Sequence, residues 1–248
     1  MEDEEGPRDE PAARRTWRRI FEEDLRALDV DLRIRLAREA SGETLRALCF
    51  DPASKVVTAV LENAGAGLEH ARLIAEHHRT GSGLDVLGKG ASLLRDQQVQ
   101  RCLFRNPQTS ERLLRRIFQP RRMAEVYRLC LSRDATERVR AAARKELRDK
   151  FTSGTADERV SLIVTCEGRC LDLLLGIALD SRAAALLCRR PLHSTLLVRN
   201  LARWPSTPPE VLVHLARQPV VKRSPALRDA ILRHPNAPSH LDAKSRPR

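Results

Sequence analysis

The segment with the most familiar chemistry is a glycine-rich run, Gly83-Leu-Asp-Val-Leu-Gly88-Lys89-Gly90. It matches a nucleotide-binding P-loop as far as the lysine, but Gly90 stands where a Ser or Thr should bind Mg²⁺. Residues 69–78, which precede it, have a helical pattern, whereas a P-loop follows a strand. We therefore expect no nucleotide site. Six of the eleven glycines lie between Gly65 and Gly90, which predicts a flexible loop, a hinge or boundary between the N-terminal helices and the rest of the chain.

A second candidate site is Cys166-Glu-Gly-Arg-Cys170, whose spacing is one that zinc sites use, with Cys188 and His193 further along the chain. A structural zinc site normally has two such pairs. Only one is present here, inside an apolar run. The alternative is buried free thiols, which behave as small apolar side chains. We therefore expect neither a metal nor a cofactor.

Histidines and carboxylates form no recognisable catalytic set. His70, His77 and His78 could act as ligands or bases, but their helix is otherwise amphipathic, so we expect solvated side chains. No Ser-His-Asp set, paired-carboxylate pattern or HExxH motif is visible. A DNA glycosylase would need aromatic stacking platforms, and only Trp17, Trp204 and one Tyr are available. The sequence therefore predicts a protein that is not an enzyme.

Positive charge is concentrated in two blocks of a chain whose net charge is +12. Residues 101–150 hold 15 basic and 6 acidic residues, a net charge of +9, and residues 181–248 hold 13 basic and 3 acidic residues, a net charge of +10. Such an excess favours an anionic partner: nucleic acid, an acidic protein or a membrane surface. The alternative is that the arginines are merely solvated. No stretch approaches the ~18 apolar residues of a membrane span.

The elements that must position these residues are short helices. Aromatic residues make up only 3% of the chain, so the core must consist of Leu, Ala, Val and Ile, and Ala and Leu are strong helix formers. We expect an acidic disordered tail at 1–13, an N-terminal helical region at 14–43 and a basic disordered tail at 241–248. Between 44 and 240, short apolar runs alternate with Pro or Gly, which is typical of a helical repeat domain.

A proline-centred turn recurs through this domain. A helix ends, a proline follows, and a Ser or Thr then precedes the next apolar helix. Proline cannot continue a helix, and the hydroxyl can cap the next one by accepting a backbone N–H bond. The clearest helix start is Thr207-Pro-Pro-Glu210, which has the spacing of a capping box. The five turns centre on Pro52, Pro107, Pro191, Pro205 and Pro235.

Helical spacing places many arginines on outer faces. In 110–118 the arginines lie opposite an apolar face, and in 136–148 three arginines recur every four residues, which predicts an outward ladder. Stacked helices would bring such faces onto one broad surface. The predicted interaction surface consists of Arg112, Arg115, Arg116, Arg140, Arg144, Arg148, Arg189 and Arg190.

Three segments carry a resemblance: Asn106-Pro107-Gln-Thr-Ser110, Pro205-Ser-Thr-Pro208-Pro-Glu-Val-Leu212 and Arg233-His-Pro235-Asn-Ala-Pro238. They resemble leucine-rich repeat variant proteins, bacterial proteins similar in style to HEAT-like helical repeats. The resemblance covers residues 44–240 and implies an all-α, right-handed α-solenoid with a role in recognition, but no particular activity. One member of the type holds a cysteine-bound iron–sulfur cluster ahead of its repeats. Here no Cys precedes Cys49, so that cofactor is not expected.

The predicted function is a non-enzymatic scaffold for protein–protein interaction, whose groove or convex face holds an acidic or a helical partner, because solenoids offer extended binding surfaces. The alternative is a nucleic-acid-binding repeat protein whose arginines contact phosphates. The scarcity of aromatic residues favours the scaffold, and we expect no small-molecule ligand. The acidic start, Met1-Glu-Asp-Glu-Glu5, differs from the basic start of a secretory leader. We therefore expect a cytoplasmic protein with reduced thiols.

Overall fold

Every regular element of the described residues is a helix. The computed structural model describes residues 16–239 and 241, and neither range contains a strand. The all-α class predicted from the apolar composition is therefore confirmed. Within the same ranges, no helix is both long and apolar enough to cross a membrane. In chain order the helices are α1 (16–25), α2 (Val30–Glu39), α3 (Gly42–Leu48), α4 (Ser54–Glu62), α5 (Leu68–His77), α6 (Gly81–Leu87), α7 (Gln97–Arg105), α8 (Glu111–Phe118), α9 (Met123–Cys130), α10 (Glu137–Ser153), α11 (Ala156–Thr165), α12 (Ser181–Cys188), α13 (Thr195–Arg203), α14 (Pro209–Ala216), α15 (Pro219–Lys222) and α16 (Pro225–Leu232), with 3-10 turns at Leu93–Arg95 and Arg169–Leu174.

The chain divides into two compact units. The first consists of the described residues up to Pro120 together with Ser132–Ala142, and the second of Arg121–Leu131 together with the described residues from Ala143. The helix α10 therefore contributes residues to both units. The disordered tails predicted at 1–13 and 241–248 lie outside the described residues, except for Leu241.

In the first unit, helices that are two apart in the sequence pack against each other. The helix α4 contacts both α2 and α6, α6 also contacts α8, and α5 contacts α7. The predicted inner face of α8 is buried: Leu113, Leu114, Ile117 and Phe118 are each at most 2% exposed. The apolar residues that recur at the helical period of 3.6 therefore form one buried stripe along this short helix.

The second unit repeats this manner of packing. The helix α11 contacts α12, α12 contacts α14, and α14 contacts α16, while α13 contacts α16 and the 3-10 turn Arg169–Leu174. The core of this unit is again mainly Leu, Val and Ala, with Trp204 buried in the turn that follows α13. Small aliphatic side chains allow such short helices to pack closely.

The proline-centred turns use their hydroxyl groups in two ways. Ser110 and Ser194 cap helices as predicted, because their Oγ atoms accept backbone N–H bonds at 3.1 and 3.2 Å. Thr207 does not cap α14. Its buried Oγ1 atom donates to the carbonyl oxygen of Leu201 at 2.6 Å. The capping box predicted at Thr207 is therefore wrong: α14 begins at Pro209, and the hydroxyl closes the preceding turn instead.

The glycine-rich run is not the flexible loop that the sequence predicted. Residues Gly81–Leu87 form α6, which Thr80 caps by accepting from the backbone N–H of Gly83 at 3.3 Å. Leu84 and Leu87 are fully buried. A glycine is needed at position 83 because a Cβ atom there would overlap the imidazole ring of His78. The glycine content therefore reflects close packing in this helix and not disorder.

Two of the histidines that we expected to be solvated are buried. His70 and His78 are each 3% exposed. The Nδ1 atom of His70 accepts a bond from the backbone N–H of Gly67 at 3.1 Å, at the start of α5. The ring of His78 bonds backbone groups through both nitrogens. These residues are held by the backbone as uncharged hydrogen-bonding groups, which is why amphipathic spacing alone did not identify them.

Candidate anion-binding cleft

Three successive helices of the row α2–α4–α6–α8 enclose a cavity of about 290 Å³ in the first unit. Hydroxyl groups, one carboxylate and two apolar side chains line it together with four basic side chains. We call this cavity the basic cleft and define it by its basic residues, Lys55, Lys89, Arg112 and Arg116.

Equivalent positions of the three helices meet at the cleft. Lys55, Ser82 and Arg112 are each the second residue of their helix, in α4, α6 and α8 respectively. Because the three helices lie side by side, their first turns face the same space. Thr58 follows Lys55 on the same side of α4, and its hydroxyl donates to the carbonyl oxygen of Ser54 at 2.9 Å.

Close packing between α6 and α8 sets the position of two of the cations. Gly88 directly follows α6, and a Cβ atom built there would lie 3.1 Å from Leu113 Cδ1 and 3.6 Å from Arg116 Nη1. The absence of a side chain at Gly88 therefore lets α8 approach. Lys89 comes directly afterwards, where the chain leaves the helix, and its side chain is exposed.

The only carboxylate in the lining is already engaged. Asp85 accepts a hydrogen bond from the hydroxyl of Ser110, the residue that caps α8. By contrast, none of the four cations of the basic cleft forms an ion pair with a carboxylate in the described part of the chain. Four like charges around one space repel each other. A bound anion would relieve this repulsion and would find hydroxyl donors beside it.

Only two of the eight predicted surface arginines lie in the cleft. Arg112 and Arg116 are one helical turn apart on α8, and both point into it. Arg115 belongs to the same helix and is exposed, but does not line the cavity. Of the arginines in 110–118, therefore, only the two on one edge of α8 lie beside the lysines of the cleft.

The outward ladder predicted on α10 is wrong for two of its members. Arg140 is half-buried and donates to the carbonyl oxygens of Ser132 and Ala135 at 3.2 and 2.8 Å, besides pairing with Glu137. Arg148 donates to the carbonyl oxygen of Leu173 at 2.8 Å. A guanidinium group has several N–H donors in a rigid plane, so one arginine side chain can donate to backbone carbonyl oxygens of neighbouring segments.

The other predicted arginines lie in the second unit. Arg144 is half-buried near Cys130; burial raises the pKa of that thiol to about 11, and the arginine's charge opposes the increase. Arg189 and Arg190 are exposed at the end of α12, where the carbonyl oxygen of Arg190 bonds the Nε2 atom of His214 at 2.9 Å. None of the three belongs to the basic cleft, which lies wholly in the first unit.

Two lysines of the cleft were not predicted from the sequence. Lys89 stood out only as part of the P-loop-like run, and Lys55 follows the first proline-centred turn. The signal that could have identified Lys55 is its register, because it holds the same place in α4 that Arg112 holds in α8. This register can be recognised only when the first residue of each helix is known, and the sequence pattern does not locate helix starts accurately enough.

No metal centre is evident where the cysteine spacing suggested one. In the described ranges, no group of three or more His, Cys, Asp or Glu side chains is placed to hold a metal ion. The thiol of Cys166 donates instead to the carbonyl oxygen of Ile163 at 3.8 Å. Comparison of the chain with protein-family models, with curated proteins and with solved structures finds no match.

Proposed function

We propose that this chain is a non-enzymatic helical-repeat protein, an α-solenoid of the HEAT-like or leucine-rich repeat variant type, that binds an acidic segment of a protein partner in its basic cleft. The observation that carries the binding part of the proposal is that four cations line this cleft beside one carboxylate, Asp85, and that none of the four forms an ion pair in the described part of the chain. The repeat architecture rests on two further observations.

The first is a polar contact that recurs about one helix pair apart. In the first unit, His78 bonds the carbonyl oxygen of Asp51, 27 residues earlier, and Asn106 bonds that of His78, 28 residues earlier. In the second unit, His234 bonds the carbonyl oxygen of Trp204, 30 residues earlier. Contacts at such regular separations are expected when successive two-helix repeats stack on each other.

The second is a turn that has the same geometry in both units. The Oγ1 atom of Thr109 donates to the carbonyl oxygen of Leu103, and that of Thr207 donates to the carbonyl oxygen of Leu201. Each bond spans six residues, follows a proline at the same offset and measures 2.7 or 2.6 Å. This hydrogen-bonded turn recurs in both units, and alternate helices pack against each other in both. The two observations together support a divergent repeat.

An acidic protein segment fits the cleft better than nucleic acid does. The cavity of about 290 Å³ is concave and small, at the lower end of typical ligand pockets, so it suits one or two acidic side chains. None of its lining residues is aromatic, whereas binding of single strands relies on base stacking. A duplex would be contacted by a longer stripe of cations than four residues supply.

The test is binding to labelled probes across a salt series. We would compare a fluorescent Asp/Glu-rich peptide with a single-stranded and a double-stranded DNA that carry the same charge. The variant Arg112→Ala/Arg116→Ala should weaken peptide binding about tenfold or more, because charge-assisted bonds to a partly enclosed carboxylate are strong. Arg115→Ala/Arg189→Ala is the control, since it removes the same charge from exposed positions outside the cleft.

Equal weakening by the two double variants would show that only net charge matters and would remove the cleft from the proposal. Preferential binding of DNA, with a steep dependence on salt, would instead establish the nucleic-acid alternative. No binding of any probe at low salt would contradict both.

A further inference from the structure

The basic cleft holds more positive charge than one carboxylate of a partner can match. Its four basic residues stand beside a single carboxylate, that of Asp85, so positive charges exceed negative charges by three. A carboxylate of a partner supplies one negative charge and two acceptor oxygens. A phosphate monoester on a side chain supplies a charge of about −1.5 to −2 at pH 7 and three acceptor oxygens. The charge of the cleft therefore favours a phosphate monoester among the acidic groups of proteins.

The two arginines of the cleft are spaced to hold one anion between them. Arg112 and Arg116 both line the cavity and are one helical turn apart on α8, and Cβ atoms at this spacing are about 5–6 Å apart. Each guanidinium presents N–H donors in a planar fork that matches two oxygens of a carboxylate or a phosphate. Two forks donate at least four bonds, which use the roughly four lone-pair sites of a carboxylate. A phosphate monoester has a further oxygen for other donors.

Other donors are present around the same space. The Nη1 atom of Arg116 lies 3.6 Å from the place that a Cβ atom of Gly88 would occupy, so this guanidinium reaches across from α8 to the end of α6. Lys89 is the residue after Gly88, and Lys55 lies on α4. The cations therefore come from three segments of the first unit. An anion in the cavity would contact several of them at once.

Hydroxyl groups of the cavity supply uncharged donors. The side chain of Ser54, the first residue of α4, forms no hydrogen bond within the part of the chain that the structure describes. The hydroxyl of Ser82 lies 3.3 Å from Oγ1 of Thr80. Both serines line the cavity. Phosphate oxygens that the arginines leave free would accept bonds from these hydroxyls.

We propose that the basic cleft selects a phosphate monoester on a side chain of the partner's acidic segment, and binds it more tightly than an equal charge of carboxylates. This inference rests on the proposed function and specifies the group that the cleft recognises. Arg112 and Arg116 bond the phosphate oxygens in defined directions. Lys55 and Lys89 act as point charges on flexible stems.

The experiment measures the fluorescence anisotropy of labelled peptides with the full chain at pH 7.5 and constant ionic strength. One acidic peptide contains a phosphoserine, and a charge-matched peptide contains Glu-Glu in its place. We expect the phosphopeptide to bind at least about tenfold more tightly, because the phosphate accepts more charge-assisted bonds at one point. Inorganic phosphate should displace the phosphopeptide at a lower concentration than acetate does.

Substitution by lysine separates the geometry of the donors from their charge. Arg112→Lys/Arg116→Lys keeps the four positive charges of the cleft but removes both planar forks. This double variant should lose most of the preference for the phosphopeptide, whereas its affinity for the charge-matched peptide should change by about threefold or less. Arg115→Lys is the matched control, because Arg115 is exposed on the same helix outside the cavity. It should leave both affinities unchanged.

Equal affinities of the unmodified chain for the two peptides would overturn this inference and leave the proposed function in place. A preference that persists in the double lysine variant would also overturn it, because the arginines would not be its source. Binding of neither peptide would contradict the proposed function as well. Displacement of the phosphopeptide by single-stranded DNA of equal total charge would assign the cleft to nucleic-acid phosphates instead.

Discussion

The Nε2 atom of His78 lies 2.9 Å from the carbonyl oxygen of Asp51, a residue 27 positions earlier in the chain. The Nδ1 atom of the same ring accepts the backbone N–H of Thr80 at 3.2 Å. Nε2 must therefore carry a proton and donate it, because a carbonyl oxygen can only accept, and Nδ1 accepts from Thr80 when the ring is neutral. Asn106 extends the connection by donating to the carbonyl oxygen of His78 at 3.0 Å. Polar side chains thus join successive helix pairs inside the first unit.

This arrangement predicts a loss of stability in mild acid. Burial lowers the pKa of both His78 and His70 below the ordinary value of 6.5. In the window below 6.5 the unfolded chain binds more protons than the folded chain, so the free energy of unfolding falls as the pH falls. Urea unfolding at pH 7.5, 6 and 5 should show this decrease, and His78→Gln should reduce the slope. His193→Gln, at an exposed position, should leave the slope unchanged, and an equal slope in all three proteins would contradict the assignment.

Substitution of Gly83 by Ala should be severely destabilising. The new methyl group would overlap the His78 ring, and overpacking a rigid core costs about 1–3 kcal/mol or more. Chemical denaturation measures the loss. Gly67→Ala is the control, because a Cβ atom there meets nothing within 4 Å, and we expect it to change stability by less than about 1 kcal/mol. The double variant His78→Ala/Gly83→Ala should lose less free energy of unfolding than the two single variants lose together, because the smaller side chain at 78 makes room for the new methyl group. Equal losses would show that the two sites do not interact.

A comparison of Asn106 with Asn236 measures how burial changes the contribution of a side-chain hydrogen bond to the free energy of unfolding. Each donates its side-chain amide to two backbone carbonyl oxygens at 2.9–3.0 Å, but Asn106 is 5% exposed and Asn236 is at the surface. We expect Asn106→Ala to lower the free energy of unfolding by about 2–3 kcal/mol, because the carbonyl groups become unsatisfied in the core. Asn236→Ala should cost about 1 kcal/mol or less, since water replaces the amide. Equal costs would mean that burial does not determine the value of these bonds.

The buried ion pair between Arg33 and Asp51 should be strongly coupled. The Nε atom of Arg33 lies 2.6 Å from Asp51 Oδ2, and their side chains are only 9% and 0% exposed. Arg33→Met should destabilise the chain by about 3–5 kcal/mol, because it leaves a carboxylate without its partner in the core. A double-mutant cycle with Asp51→Asn measures the coupling. Additive losses would show that the two side chains act independently.

Prediction from the sequence succeeded best where a single helix determines the outcome. The period of 3.6 residues identified the buried stripe of α8, including Leu113 and Phe118, because inward positions follow from one helix alone. The capping roles of Ser110 and Ser194 were also predicted correctly, since a cap bonds only its own helix.

The features that the sequence could not provide depend on neighbours that are distant in the chain. Arg140 and Arg148 have the spacing of an exposed ladder, yet loop carbonyls hold them. The basic cleft unites Lys55 with Arg116, which are 61 positions apart by their numbers, and no local pattern reveals that meeting. Likewise, the spacing of Cys166 and Cys170 was noticed, but not the left-handed backbone between them, where Asn200 of α13 donates to the carbonyl oxygen of Glu167.

The division of the chain has a consequence for its synthesis. Because the first unit needs Ser132–Ala142, it is completed only after Arg121–Leu131, which belong to the second unit, have already emerged. Those residues must wait until the chain from Ala143 onward is made before their own unit can close. The two units are therefore interleaved in order of translation, and no single cut of the chain separates one from the other.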